Sequence, residues 1–315
     1  MSQIPKKIFI IPYRNRPQQK FFFSKYMSFL LEDFNNYEIY FSHQCDNRAF
    51  NRGAIKNIGF LAMKAKYPNH YKNITYIFND VDTVPFNKIF NYDTHVGVVK
   101  HYYGYKHALG GIVVMKGEDF EKINGFPCFW GWGMEDNILQ TRCLNNNIII
   151  DRTDFYSIGS PQILQLFDGI TRIISNKDPL NDADNINNGL TTISNLKYTI
   201  DIKSTNVNDN LFTIIEKNTK IINITSFSVL LNYTSDTFHT YDLRESSDKI
   251  KTPKLLKPAN VNTVLNTTSW KEISYKPTTL EKKINNAKLF ISRKQKVPVA
   301  LINEINKLKK INLNN

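Results

Sequence analysis

Lys7-Ile8-Phe9-Ile10-Ile11-Pro12-Tyr13-Arg14-Asn15-Arg16 places a short, continuous apolar run directly before an aromatic ring and two guanidinium groups. An apolar run of that length without polar alternation fits a strand buried on both faces, as in a parallel sheet. Pro12 ends the run, and Tyr13 to Arg16 fills the loop beyond its C-terminal end. A helix is expected over residues 17–32, opened by Pro17 in its first turn. Residues 37–41 read as a second strand. Residues 51–66 read as a helix with Ile55, Ile58, Gly59 and Ala62 on one face, and 74–78 as a third buried strand. This alternation predicts an α/β sheet whose binding groups sit at the C-terminal ends of its strands.

Further strands are expected over 95–100 and 111–115, and helices over 118–123 and 135–146. Past residue 205 the chain turns rich in Asn, Thr, Ser and Lys, with β-like pieces at 211–216 and 220–231. Pro253, Pro258 and Pro277 mark residues 250–280 as an extended connector. Residues 281–310 carry helical apolar spacing interrupted by Pro298. The expected division is a catalytic domain over 1–205 and a C-terminal extension over 206–315.

The chain has 315 residues, 41% of them apolar and 13% aromatic, enough to bury a substantial core. Its 41 Lys and Arg against 28 acidic residues give a formal charge of +13. That balance suits nucleic acid, an anionic membrane or a phosphate-bearing substrate alike. Part of it lies in the tail, where residues 281–315 hold nine Lys and Arg against two Glu. A solvated helical tail accounts for that run, and docking to an acidic partner or a polyanion is the other reading. Cys45, Cys128 and Cys143 form no CxxC and have no His at ligand spacing, which argues against a disulfide framework or a zinc site. No transmembrane-length apolar segment and no leader-like segment occur, so a cytoplasmic location is expected. The Asn-, Ile- and Lys-rich composition points to an AT-rich genome, bacterial or viral.

Four features carry chemistry, each after a strand. Tyr13-Arg14-Asn15-Arg16 offers a ring to stack a base and guanidinium groups to bind phosphate. Phe50-Asn51-Arg52-Gly53 puts a guanidinium beside the free N–H groups of a helix start; an Asn cap with a surface Arg is the structural reading. Asp80-Val81-Asp82, read as extended chain, turns both carboxylates to one side and Val81 inward, a pattern that suits Mn²⁺ or Mg²⁺ bridging two phosphates. In Trp130-Gly-Trp132-Gly-Met134-Glu135-Asp136-Asn137, two indoles and intervening glycines form a wall beside two acids, a way to hold a sugar and deprotonate its hydroxyl. His101 and His107 flank Tyr102-Tyr103-Gly104-Tyr105, where packing or sugar stacking is favoured over metal ligation.

In this order the four features resemble the β-1,4-galactosyltransferase family, glycosyltransferase family 7, and its xylosylprotein branch in particular. The matching text is IIPYRNR (10–16), FNRGAIKNIGF (50–60), FNDVDTVP (78–85), Gly110-Gly111 and INGFPCFWGWGMEDN (123–137), with looser likeness over 187–200. The resemblance implies a GT-A fold, a Rossmann-like mixed sheet flanked by helices, and an inverting, metal-dependent transferase using UDP-galactose and a carbohydrate acceptor. By position, Pro12, Tyr13, Arg14, Arg16, Phe50, Asn51 and Arg52 would hold the uridine and pyrophosphate. Asp80 would lie near the ribose, Val81 would belong to the donor site, and Gly110 and Gly111 would lie near the donor sugar. Asp82 would bind Mn²⁺ or Mg²⁺, and Trp132 would line donor and acceptor. Asp136 would be the base, with a pKa lifted by desolvation, and Glu135 would orient substrate.

Three positions depart from the family pattern. Met134 stands where many members have Gly and narrows the acceptor site. Asn137 replaces an Asp that contacts acceptor hydroxyls. The metal-ligating His expected about 30 residues after the acidic motif is absent, since no His lies between His107 and His239. Gln165 or Asp168 would supply oxygen instead. A transferase is the leading reading, and a fold-retaining pseudoenzyme or carbohydrate-binding module is the alternative. Nucleic-acid binding through the basic tail is disfavoured.

Overall fold

The computed structural model describes residues 4–166, 171–175, 187–201, 203, 216, 218–231, 233, 238–242, 279–293 and 295–312. In chain order its first elements are β1 (Lys7–Tyr13), α1 (Pro17–Leu30), β2 (Tyr37–Gln44), α2 (Arg52–Lys66), β3 (Thr75–Asn79), β4 (Thr83–Pro85), β5 (Val98–Gly104) and β6 (Ile112–Lys116). Then come α3 (Gly117–Lys122), α4 (Glu135–Asn145), β7 (Ile149–Asp151), β8 (Tyr156–Ser157), β9 (Ile163–Gln165) and β10 (Thr171–Ser175). The rest are β11 (Ser194–Asp201), β12 (Thr219–Ser228), β13 (Phe238–Asp242), α5 (Thr279–Ser292) and α6 (Val299–Asn312).

The main sheet runs β11-β12-β2-β1-β3-β6-β5-β7, with β8 also paired to β5. Its centre is parallel, β12, β2, β1 and β3 lying side by side, while β6 runs antiparallel between β3 and β5. This is the mixed, helix-flanked sheet expected of a GT-A fold. Both faces are covered. Ile8 and Ile10 of β1 pack with α2 and α3, while Phe9 and Ile11 pack with Phe23 and Met27 of α1. Alternation along one strand thus feeds two cores, which is why the run reads as continuously apolar.

The strand continues through Pro12, paired with Ser42 of β2, instead of ending there. On the other side β1 pairs with β3 only as far as Ile10–Phe78, so the missing N–H of Pro12 falls beyond that ladder. Close packing of α2 on β1 depends on Gly59, where a Cβ would lie 2.5 Å from Ile10 Cγ2.

The boundary expected at residue 205 falls inside a compact unit that spans Met1–Pro253, because β12 inserts beside β2. Residues 211–215 and the connector over 250–278 lie outside the described residues. A second unit begins at Lys254. There Pro298 separates α5 from α6, and Lys283 of α5 forms an ion pair with Glu304 of α6. No described helix is long and apolar enough to cross a membrane.

Candidate active site

Arg52, at the start of α2, is the centre of the site. Asn51 caps that helix, its side chain accepting from Ala54 N–H at 3.0 Å and donating to the Cys128 carbonyl at 3.2 Å. Gln44 at the end of β2 accepts the Asn51 N–H at 2.9 Å, so the strand end fixes the helix entry. From this anchored turn the Arg52 guanidinium forks. One side meets Asp80 after β3, Nη2 lying 2.6 and 2.8 Å from its two oxygens. The other meets α4, with Nη1 2.7 Å from Glu135 and 2.8 Å from each oxygen of Asp136. Two acids from α4 and one from the end of β3 are thereby gathered on one cation.

Lys56, one helical turn beyond Arg52, adds a second cation that the motif reading missed. Its side chain is 1% exposed, with Nζ 3.4 Å from Asp136 and 3.9 Å from Asp80. Phe126 lies beneath it, 4.4 Å from the ammonium to the ring centre. The available signal was the i, i+4 spacing from Arg52, obscured because Lys56 sits between Ile55 and Ile58 on a face read as apolar.

These charges separate the two acids. Burial and the adjacent Asp136 raise the Glu135 pKa, with Arg52 and Lys56 opposing. Burial alone would raise Asp136 too, but Arg52 and Lys56 overcome it and hold that pKa below the usual carboxylate range. The rise expected for Asp136 therefore falls on Glu135. Burial also disfavours the charge on Arg52, yet Asp136, Asp80 and Glu135 together keep it firmly protonated.

Asp80, Val81 and Asp82 do not form an extended triplet. Thr83 N–H returns to the Asp80 carbonyl at 3.1 Å, closing a turn. The carboxylates consequently part: Asp80 takes Arg52, and Asp82 takes Arg16 at 2.8 Å. Val81 packs inward as expected, 3% exposed. Gln165 on β9 lies across from Thr83 of β4 and accepts the Tyr103 hydroxyl at 3.3 Å. Burial raises the Tyr103 pKa, and the charge of Asp82 adds to the rise, while the Leu166 N–H next to Gln165 returns to the Asp82 carbonyl at 2.6 Å. Asp82 and Gln165 thus offer hard oxygen donors, which fit Mn²⁺ or Mg²⁺ in kind. No cluster of three His, Cys, Asp or Glu suited to a metal occurs among the described residues. Asp168 lies outside them.

Beyond β1 and β2, a cavity of about 240 Å³ is lined by Arg14, Asn15 and residues 43–47. Arg14 reaches the Arg48 carbonyl. Here Tyr13 corrects the sequence reading. Its side chain is fully buried between Phe41 and His43, so it has no face to offer a base. Pro12 is an interior strand residue. Phe50 packs half-buried on the core, and its carbonyl accepts Gly131 N–H at 3.0 Å. His43, Gln44 and Asp46 were not singled out in the sequence because nothing local marks a strand end as a cavity wall.

The two indoles also separate. Trp130 is 3% exposed, stacks on Phe227 and donates to the Leu231 carbonyl at 2.8 Å, while Trp132 is 37% exposed. The wall presented outward is Trp132 alone, its backbone N–H held by the Ile173 carbonyl at 2.8 Å. Met134 has φ 68, a left-handed conformation that a bulky side chain adopts with strain. Asn137 donates to the His107 carbonyl at 3.2 Å. Gly110 allows close approach, since a Cβ there would lie 2.3 Å from Asp136 Oδ2. Neighbouring Gly111 accepts the Asp80 N–H through its carbonyl at 3.0 Å, tying the turn at Asp80 to the start of β6.

Two family models match in tandem. One, described as the N-terminal region of glycosyl transferase group 7, covers residues 3–95. The other, described as the N-terminal domain of galactosyltransferase, covers residues 92–165. The xylosylprotein 4-beta-galactosyltransferase of Caenorhabditis elegans is 29% identical over 174 residues, 52% of this chain and 58% of its own length. Human beta-1,4-galactosyltransferase 1 is 32% identical over 161 residues, 47% of this chain and 39% of its own. The match thus spans about half the length of these relatives. Among solved structures, a Drosophila β1,4-galactosyltransferase 7 mutant in complex with manganese, UDP-Gal and xylobiose superposes with a TM-score of 0.53 at 19% identity, covering 70% of this chain and 94% of that one. The catalytic domain of the Drosophila enzyme with xylobiose gives 0.52 at 20% identity, with the same coverage. These two carry the likeness of fold.

Proposed function

Because this chain belongs to the β-1,4-galactosyltransferase-like glycosyltransferase group 7 family, we propose that it is a metal-dependent inverting transferase moving galactose from UDP-galactose to a sugar hydroxyl in a β1,4 linkage. The observation that carries this reading is the Arg52 fork. It draws the donor-side Asp80 and the acceptor-side Glu135 and Asp136 into one cluster. A direct displacement needs donor and acceptor held together in that way.

Asp136 is the base. Arg52 and Lys56 keep it ionised and therefore able to accept a proton at neutral pH. Its oxygens exchange part of their bonding to Arg52 for the acceptor hydroxyl. The hydroxyl oxygen attacks the anomeric carbon of the donor sugar as its proton moves to the carboxylate and the bond from that carbon to the UDP oxygen breaks. Glu135, whose pKa is raised, is the more readily protonated acid and orients substrate. Arg14 and Arg16 bind donor oxygens, and Trp132 supplies a face for the sugar. A divalent cation held by Asp82 with Gln165 would neutralise charge on the departing diphosphate.

The second reading is a carbohydrate-binding module. The neutral Gln165 beside Asp82 and the full engagement of both Asp136 oxygens by Arg52 favour it. UDP release from a panel of UDP-sugars with Mn²⁺ decides between them. The transferase reading requires turnover that falls on the order of 10²–10⁴-fold in Asp136→Asn. UDP binding without turnover on any donor would leave the module.

A further inference from the structure

A second cavity, of about 460 Å³, is lined by Lys106, Arg152, Phe155 and Ser157. That volume falls in the roughly 300–1,000 Å³ range of small-molecule sites. Its chemistry is one-sided: two cations, an aromatic ring and a hydroxyl.

Arg152 is held by neutral groups. Its Nε donates to His101 Nδ1 at 3.0 Å and its Nη2 to Gln140 Oε1 at 2.6 Å, and Nη1 makes no hydrogen bond among the described residues. No carboxylate pairs with Arg152 or with Lys106 among the described residues. Burial lowers the Arg152 pKa with no counter-charge raising it. The usual acceptors in this neighbourhood are engaged elsewhere, Asp151 and Asp154 both facing Lys100. A guanidinium fixed at two nitrogens with a third free is preorganised for an oxyanion. Phe155 lies 4.8 Å from His101 and 5.8 Å from the Arg152 guanidinium, and offers an apolar surface beside it.

The residues behind the cavity lining also connect it to the base. Gln140, which holds Arg152, follows Asp136 by four residues on α4, a rise of about 6 Å. His101 holds Arg152 through one nitrogen and the Gly110 carbonyl, at 3.1 Å, through the other. Gly110 is the residue against which Asp136 packs. Lys106 sits in the loop whose His107 carbonyl accepts from Asn137.

We propose that this cavity is an acceptor subsite for an anionic saccharide, with Arg152 and Lys106 binding its carboxylate or phosphate and Phe155 packing on its ring. The inference rests on the transferase reading for the word acceptor, but not for the binding itself. It defines the acceptor class as a charged sugar in place of a neutral one.

The test is calorimetric binding of glucuronic acid, glucose 6-phosphate and glucose to the full chain, with UDP and Mn²⁺ present in excess to block the donor side. At least one charged sugar should bind tenfold or more tightly than glucose, and whichever does so identifies a carboxylate or a phosphate as the anion. Lys106→Glu, in an exposed loop that leaves the core untouched, should remove the preference, and Arg152→Gln should do the same. Equal binding of all three sugars, or a preference that survives Lys106→Glu, overturns the proposal. Because no turnover is needed, charged-sugar binding without UDP release from any donor would sink the transferase reading and leave the subsite standing.

Discussion

Lys56 Nζ lies 3.4 Å from Asp136 Oδ1 in a setting where the lysine side chain is 1% exposed. Burial disfavours the ammonium and so does Arg52 beside it, and Asp136, Asp80 and Glu135 offset only part of this, so the Lys56 pKa is lowered. Replacing it with Met keeps the bulk and removes the charge. Asp136 then loses one of the two cations that hold its pKa down, and the acid limb of the pH–rate profile moves to higher pH. Lys56→Arg should restore the limb. A profile unchanged in Lys56→Met would show that Arg52 alone sets the base.

Met134 stands in the left-handed region with φ 68 immediately before α4. That conformation costs a residue with a side chain roughly 1–2 kcal/mol, and glycine gives back part through the freedom of its unfolded chain. Met134→Gly should therefore stabilise the protein by about 1 kcal/mol, read as a higher urea midpoint at unchanged slope. A lower midpoint would mean that the methionine side chain makes packing contacts worth more than the strain.

At Gln165 the outcome concerns metal. Gln165→Ala removes an oxygen donor near Asp82, and Mn²⁺ affinity measured by calorimetry with UDP should fall about tenfold, or 1.4 kcal/mol. Gln165→His supplies imidazole and should restore or exceed the original affinity. Identical affinities in all three proteins would remove Gln165 from the metal site.

His101 gives a pH dependence of stability. Burial and the adjacent Arg152 push its pKa from 6.5 down to about 4, against the pull of the Gly110 and Tyr103 carbonyls and of Asp136. The unfolded chain binds the proton first as pH falls below 6.5, so the folded state loses stability between about pH 6.5 and 4 and the loss levels off below that. The loss attributable to this residue is up to about 3 kcal/mol. Denaturant unfolding across that window should show it, and His101→Gln should flatten the slope. An equally steep slope in the variant would assign the acid sensitivity to other groups.

The parallel centre of the sheet was legible because burial on both faces leaves a strand no polar alternation, as in Ile8 to Ile11. The helix starts were legible from Asn51 and Pro17, whose chemistry is local. Pro12 was misread as a terminus because its tolerance depends on where β3 stops pairing. Tyr13 and Trp130 read as binding rings for a similar reason. An aromatic beside an arginine or a glycine has the same local text whether it faces a ligand or the core.

Sequence alone determined which charged residues stand out: Arg14, Arg16, Arg52, Asp80, Asp82, Glu135 and Asp136 lie in motifs short enough to be read locally. Tertiary structure decided how the charges pair. The turn at Asp80 sends its carboxylate to Arg52 and that of Asp82 to Arg16, and α4 brings Glu135 and Asp136 to the same guanidinium. It also placed Lys56 beneath them, 80 residues from Asp136 in the chain. Coulomb interactions fall with distance in space and are blind to sequence separation, so which acid is held ionised and which is pushed toward protonation emerges only on folding.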